Sequence, residues 1–248
     1  MGIIRKNPAT ELEWETRFNL AAAYQLASKF GWTDLIYSHI SARVPGQEDC
    51  YFINPFGLHF HEVTASNLIK VSFDGTILDN SPYGINPAGL IIHSALHRAR
   101  PDAACVMHLH TVAGMAISAL KDGLLPITQQ ACFFYNKIAY HNFEGVLLRV
   151  EEQERIIADL QDKNVMILRN HGFLTAGKSI SEAFCLMYLL EKAAKAQIAA
   201  QSTGRELIIP SDEVCRLAAE QSDKRADNVI EIEWAALLRL LSKEDYNI

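Results

Sequence analysis

Cys105-Val106-Met107-His108-Leu109-His110 is a short apolar run closed by two histidines, and farther along Val165-Met166-Ile167-Leu168 leads through Arg169 and Asn170 into His171-Gly172. Apolar runs of this length, bounded by turn residues, predict buried β-strands, so both histidine groups stand at strand ends. Side chains at i and i+2 of a strand face one way, which aims the imidazoles of His108 and His110 at a common point. If His171 enters from a neighbouring strand end, the three rings form a facial set of neutral nitrogen donors. Such a set leaves the rest of the coordination sphere open, the pattern of a catalytic rather than a structural metal.

Around these strands, helices and further strands interleave about one sheet. Thr10 with Glu13 reads as a capping box that opens a helix through Trp14, Phe18, Ala22 and Leu26 to a stop at Gly31. Residues 35–44 alternate as a half-covered strand, and Cys50–Ile53 is a second one. Asp74-Gly75 between 69–73 and 76–78 predicts a hairpin, so antiparallel pairing is built in. Asn86 and Pro87 supply the cap and first-turn proline of a helix ended by Pro101. Beyond the HxH strand the pattern predicts a helix over 111–120, short strands at 127–128 and 138–140, and a helix over 151–160. Ser179 with Glu182 caps a long helix through Phe184, Met187, Leu190 and Ala194. The softest boundary is 201–211: residues 1–210 read as the main domain and 211–248 as its C-terminal helical extension, ending in Ile232-Glu233-Trp234-Ala235-Ala236-Leu237-Leu238.

A chain of 248 residues, 49% hydrophobic and 21% charged, has enough apolar surface for a sizeable core. Its net charge of −6, with Lys and Arg scattered, offers no basic track for nucleic acid or an anionic membrane. No stretch of about twenty consecutive apolar residues is present, and the first residues form no apolar leader segment. The five cysteines are odd in number, far apart and without a CxxC pair, which predicts buried free thiols in a reducing compartment and a cytoplasmic protein.

Nine histidines offer rival sites. His93 and His97 are four apart on one helical face, as in HExxH zinc sites, but Ser94 stands where that motif needs its glutamate; a surface role, or a supporting role behind the metal since Gly89, His93 and His97 share one stripe, fits them better. His59 and His61, before Glu62, read as a solvated loop. Nucleophile-elbow, phosphate-loop and dinucleotide signatures do not occur.

CVMHLHTVAG (105–114), LRNHGFLTAG (168–177) and the intervening NPAGLIIHSALHRARPD (86–102) resemble the class II aldolase/adducin family, and the likeness spans nearly the whole chain. The stretch HLHTVAGMAISALKDGLLPIT, Ala139-Tyr140-His141 and the tail IEWAALLRLL are most similar to the adducin head and its bacterial relatives. The resemblance implies a three-layer α/β/α sandwich around a mostly antiparallel mixed sheet, a homotetramer with sites at subunit interfaces, and one divalent ion per subunit on His108, His110 and His171. Zinc is the first choice, with manganese or iron as alternatives. The family's aldolases carry a metal-side glutamate on the helix before the HxH strand; here that position is Gly89. Their phosphate-holding serines correspond to Pro87 and Ala88, and the Gly- and Asn-rich strand motif that also serves the phosphate reads Tyr37-Ser38-His39-Ile40-Ser41. Their tyrosine proton donor falls near Gln129 and Gln130, with Tyr135 farther on.

These departures remove the phosphate cradle and the usual base while keeping the metal ligands. A Lewis acid still serves decarboxylation of a β-oxo-acid, which needs an electron sink, whereas retro-aldol cleavage needs a positioned base worth about 10²- to 10⁴-fold. The expected activity is a metal-dependent carbon–carbon lyase, aldolase- or decarboxylase-like, acting on a small unphosphorylated oxo- or hydroxy-acid or sugar derivative. The expected substrate pocket comprises His39, Asn54, Gly57, Gly89, His93 and Gln130. The proton-handling residue is open among His39, Gln130 and Tyr135 or a group from a neighbouring subunit. Two other readings stay open: a non-catalytic adducin-like scaffold, and an Fe(II) oxygenase on the same three histidines.

Overall fold

A computed structural model describes residues 8–146, 151–224 and 227–241. Seven strands form one mixed sheet: β1 (His39–Arg43), β2 (Cys50–Ile53), β3 (Ile69–Ser72), β4 (Cys105–Leu109), β5 (Ile138–His141), β6 (Val165–Leu168) and β7 (Gly172–Gly177). Their order is β3-β2-β1-β4-β7-β6-β5, and every pairing is antiparallel except β5 with β6. Eight helices surround it among the described residues: α1 (Pro8–Lys29), α2 (Pro87–Ala99), α3 (Val112–Ser118), α4 (Gln129–Phe133), α5 (Glu151–Leu160), α6 (Ile180–Gln201), α7 (Asp212–Asp223) and α8 (Asp227–Leu238).

The period of two in the central strands explains the layering. Cys105, Met107 and Leu109 of β4 and Val165 and Ile167 of β6 face one core, which they share with Leu20, Tyr24 and Leu26 of α1 and Phe184, Met187 and Leu190 of α6. Val106 of β4 and Met166 and Leu168 of β6 face the other, against Ile92 and Leu96 of α2 and Ile156 and Leu160 of α5. Both faces of the sheet are therefore covered, which is why these strands read as continuous apolar runs. The result is the α/β, three-layer sandwich expected from the sequence. His108 lies in register with His39 across β1 and β4, on the face that looks toward α2.

Several local expectations are altered. The first helix begins at Pro8, so Thr10 falls within it; the Thr10 side chain lies outside the described residues. The strand expected over 35–44 starts only at His39, because Asp34 to Tyr37 close a tight turn with Tyr37 N–H donating to Asp34 O at 2.8 Å. Leu35 and Ser38 take left-handed φ of 47° and 72° around that turn. The hairpin at Asp74-Gly75 turns as expected, but its return arm pairs only through Val71 and Ile77. No strand forms at 127–128; Thr128 instead caps α4 by accepting from Ala131 N–H. The sequence also gave no warning of β7. By contrast, Asn86 caps α2 and Ser179 caps α6 as expected. Of the tail, α8 packs on α6 and α1 through Trp234, whose Nε1 donates to Asn19 Oδ1 at 2.9 Å. No helix among the described residues is long and apolar enough to cross a membrane.

Candidate metal centre

His108 is the penultimate residue of β4, His110 directly follows the strand, and His171 occupies the turn between β6 and β7. The antiparallel register of β4 with β7 places Leu109 opposite Phe173, which carries His171 to the end of the HxH strand. Two backbone features make that turn. Asn170 adopts φ of 55°, a conformation asparagine tolerates better than most residues, and a Cβ on Gly172 would overlap the carbonyl oxygen of Leu109. Ser118 Oγ accepts from His171 N–H at 3.1 Å and holds the turn from α3.

Nε2 of His110 stands 2.9 Å from Nε2 of His108 and 2.9 Å from Nε2 of His171. The outer nitrogens are assigned elsewhere: Nδ1 of His108 donates to Phe173 O at 3.0 Å, and Nδ1 of His110 pairs with Asp34 Oδ2 at 2.9 Å. With Nδ1–H of His108 and His110 directed outward at these acceptors, Nε2 of each ring is turned inward, where a neutral imidazole offers a lone pair. Burial, followed by the neighbouring imidazoles, holds His108 well below the usual histidine range, and burial with His110 and His141 pushes His171 down to about 4. Converging lone pairs repel one another but suit a cation, and adjacent donors on one ion with bonds of about 2.1 Å stand about 3 Å apart. The donor set fits a divalent metal. His108 is buried while His110 and His171 are partly exposed, so the cluster opens on one side.

Behind His108 lies a buried row of further imidazoles. The ring of His39 stacks on that of His108 with centroids 5.9 Å apart and meets His93 edge-on at 5.5 Å. Ser41 Oγ bridges His93 Nδ1 at 2.5 Å and His97 Nε2 at 2.7 Å, and His97 Nδ1 reaches Ala103 O at 3.3 Å. Burial pushes His39 and His93 well below their ordinary range and His97 down to about 3, so all three are neutral. Both ring nitrogens of His39 and Nε2 of His93 are buried without a hydrogen-bond partner among the described residues. Gly89, on the first turn of α2, lies against the His39 ring.

The structure thus gathers His39, Gly89 and His93 next to the three-histidine cluster. Other expected pocket residues are engaged differently. Asn54 Oδ1 accepts from Tyr24 Oη at 2.8 Å deep in the core, and Gly57 occupies a loop with φ of 105°. Gln130 is half-buried on α4, and Tyr135 hydrogen-bonds Asp212 of α7. Sequence patterning missed Asp34, whose only signal was its place in a turn, and His141, buried beside Asp159 Oδ2 at 2.8 Å and Glu152 Oε1 at 3.5 Å.

Fold and site together define an α/β protein with an open cluster of three histidines at the end of its central strands. The sequence profile of the class II aldolase and adducin N-terminal domain matches residues 18–198, and the chain belongs to that family. An aldolase II superfamily protein from Pseudomonas syringae is 51% identical, with a TM-score of 0.92 over 98% of this chain and 97% of that one. L-fuculose 1-phosphate aldolase from Glaciozyma antarctica is 27% identical, with a TM-score of 0.83 over 97% of this chain and 92% of that one. Alpha-adducin from Rattus norvegicus is 46% identical over 185 residues, which are 73% of this chain but 25% of the adducin.

Proposed function

We propose that the protein is a metal-dependent carbon–carbon lyase, aldolase- or decarboxylase-like, acting on a small unphosphorylated oxo- or hydroxy-acid or sugar derivative. The observation that carries this reading is the convergence of three imidazoles on an open face, with Nε2 of His110 2.9 Å from Nε2 of both His108 and His171 and all three donor atoms within 4.8 Å of one another. His108, His110 and His171 hold a single divalent ion, zinc before manganese or iron. When bound, such an ion supplies Lewis-acid polarisation of a substrate carbonyl. Phe173 O and Asp34 orient the His108 and His110 rings, and the carboxylate makes His110 a stronger donor.

The start of α2 supports the unphosphorylated substrate. Pro87 has no N–H, Ala88 N–H is taken by the Asn86 side chain, and Leu90 N–H donates to Asn86 O. The first turn therefore presents few free amides to a phosphate. Gly89 brings no carboxylate, which favours decarboxylation, where a base is not needed to start the reaction, over retro-aldol cleavage. The protein is further proposed to act as a homo-oligomer, a tetramer by analogy with its family. The resemblance to alpha-adducin supports a second reading, a binding scaffold that retains its histidines.

Elemental analysis after purification without added metal separates the two. Near-stoichiometric metal that is lost in His108→Ala supports the enzyme; a metal-free protein unaffected by Zn²⁺, Mn²⁺ or Fe²⁺ supports the scaffold. Screening oxo-acids for CO₂ release and sugars or hydroxy-acids for aldehyde release assigns the lyase type, and oxygen uptake would reveal an oxygenase instead.

A further inference from the structure

Cys132 of α4 and Cys215 of α7 bring their sulfurs to 3.9 Å although 83 positions separate them in the chain. Both are free and buried, and neither contributes to the three-histidine cluster. Helix α7 is fastened along one stripe, Asp212, Cys215, Ala219 and Asp223, whose spacing of three and four marks a single helical face. Each member is tied to α4 or the turn after it. Tyr135 bonds Asp212, Cys132 meets Cys215, and Lys137 Nζ donates to Ala219 O at 2.7 Å and Asp223 Oδ1 at 2.6 Å.

Little else holds this helix. Its buried residues are Cys215 and Ala219, while Val214 and Leu217 are exposed. It hangs on the largely exposed segment 202–211, in which Ile208 is 90% exposed. An element with so few buried contacts opens locally at low cost. Docked, the thiols are protected: burial, with Cys215 beside it, pushes Cys132 up to about 11. Undocked, they regain ordinary thiol reactivity.

We propose that Cys132 and Cys215 form a redox modification site at which a low-molecular-weight disulfide converts the pair into an intramolecular disulfide that latches α7 onto α4. One cysteine thiolate attacks the reagent disulfide, forming a mixed disulfide and releasing one reagent thiol. The second cysteine then attacks the mixed disulfide and releases the other. The cysteine pair loses two electrons and two protons, and the reagent disulfide is reduced to two thiols. The sulfurs need to close from 3.9 Å to the bond length of about 2 Å, within reach of side-chain rotation and a small shift of a weakly held helix. The latch stiffens one wall of a cavity of about 470 Å³ lined in part by Phe133, Lys137, Leu189 and Asp223.

The test is incubation of the native full-length chain with oxidised glutathione, followed by intact-mass measurement, peptide mapping and hydrogen exchange. A loss of two hydrogens, a Cys132–Cys215 peptide, and about tenfold slower exchange across α7 would support the latch. Cys132→Ser and Cys215→Ser, near-isosteric and outside the metal cluster, should each abolish the two-hydrogen loss, and Lys137→Ala should speed oxidation by loosening α7. A stable glutathione adduct without closure, a disulfide using another cysteine, unchanged α7 exchange, or no reaction in the folded chain while the urea-unfolded chain oxidises would each overturn it.

Discussion

An ideal Cβ on Gly89 would stand 2.7 Å from Cδ2 and 3.0 Å from Nε2 of His39, so the two positions compete for one volume beside His108. A side chain at 89 and the imidazole at 39 exclude each other.

Gly89→Ala tests this directly. Helix propensity alone would stabilise the protein by about 1 kcal/mol, whereas overpacking against a buried ring costs about 1–3 kcal/mol. Because His39 is 4% exposed and lies on a strand of the central sheet, overpacking wins, and the melting temperature falls. In a His39→Ala background the same change should be neutral or stabilising. A thermal-denaturation cycle measures the coupling; additive effects would mean that His39 moves aside freely. Gly89→Glu should likewise be tolerated only with His39→Ala.

The triad was legible because a strand's period of two can be read from His108-Leu109-His110 alone, and the caps at Asn86 and Ser179 follow from local chemistry. What patterning could not deliver is what arises from distant pairing. Nothing local places Asp34 on His110, since that contact depends on a turn with Leu35 and Ser38 at positive φ. The steric link of His39 to Gly89 likewise requires β1 to lie beside β4 beneath α2. At 127–128 the β-branched residues suggested a strand, but the Thr128 hydroxyl found a helix N-terminus to cap.

Acid should destabilise the metal-free protein. Unfolded histidines bind a proton near 6.5, whereas His171 does so at about 4 and His97 at about 3, with His39, His93 and His108 also depressed. The unfolded state therefore holds more protons below about pH 6.5, and stability, fully present above that value, declines as the pH falls toward 4. Urea midpoints measured at intervals from pH 8 to about 4.5 should drop steadily below 6.5. A flat profile would contradict neutral burial of these rings.

Gly172→Ala should damage the metal site from outside it. The new methyl would overlap Leu109 O, a backbone atom in the central sheet that cannot turn away as a flexible side chain would. The turn carrying His171 must shift, at a cost of about 1–3 kcal/mol. Metal affinity should fall by about 10- to 100-fold, as expected when support of a ligand rather than the ligand itself is lost. Titration calorimetry with Zn²⁺ on the purified variant reads this; unchanged affinity would show that His171 does not depend on the turn.

Ser41→Ala probes the row of imidazoles behind His108. Ala103 O can only accept, so His97 carries its proton on Nδ1 and leaves Nε2 bare. Ser41 Oγ must then donate to His97 Nε2 and accept from His93 Nδ1–H, which leaves His93 Nε2 as a bare acceptor near His39. Removing the hydroxyl orphans two buried ring nitrogens at about 1–3 kcal/mol each, well above the usual effect of a serine substitution. Nitrogen-15 spectra of histidine-labelled protein should show His93 and His97 as Nδ1–H tautomers in the parent. In the variant the His93 tautomer should no longer be fixed, while His97 stays tied to Ala103. An Nε2–H signal at His97 in the parent would reverse the direction of the whole chain and with it the acceptor character of His93.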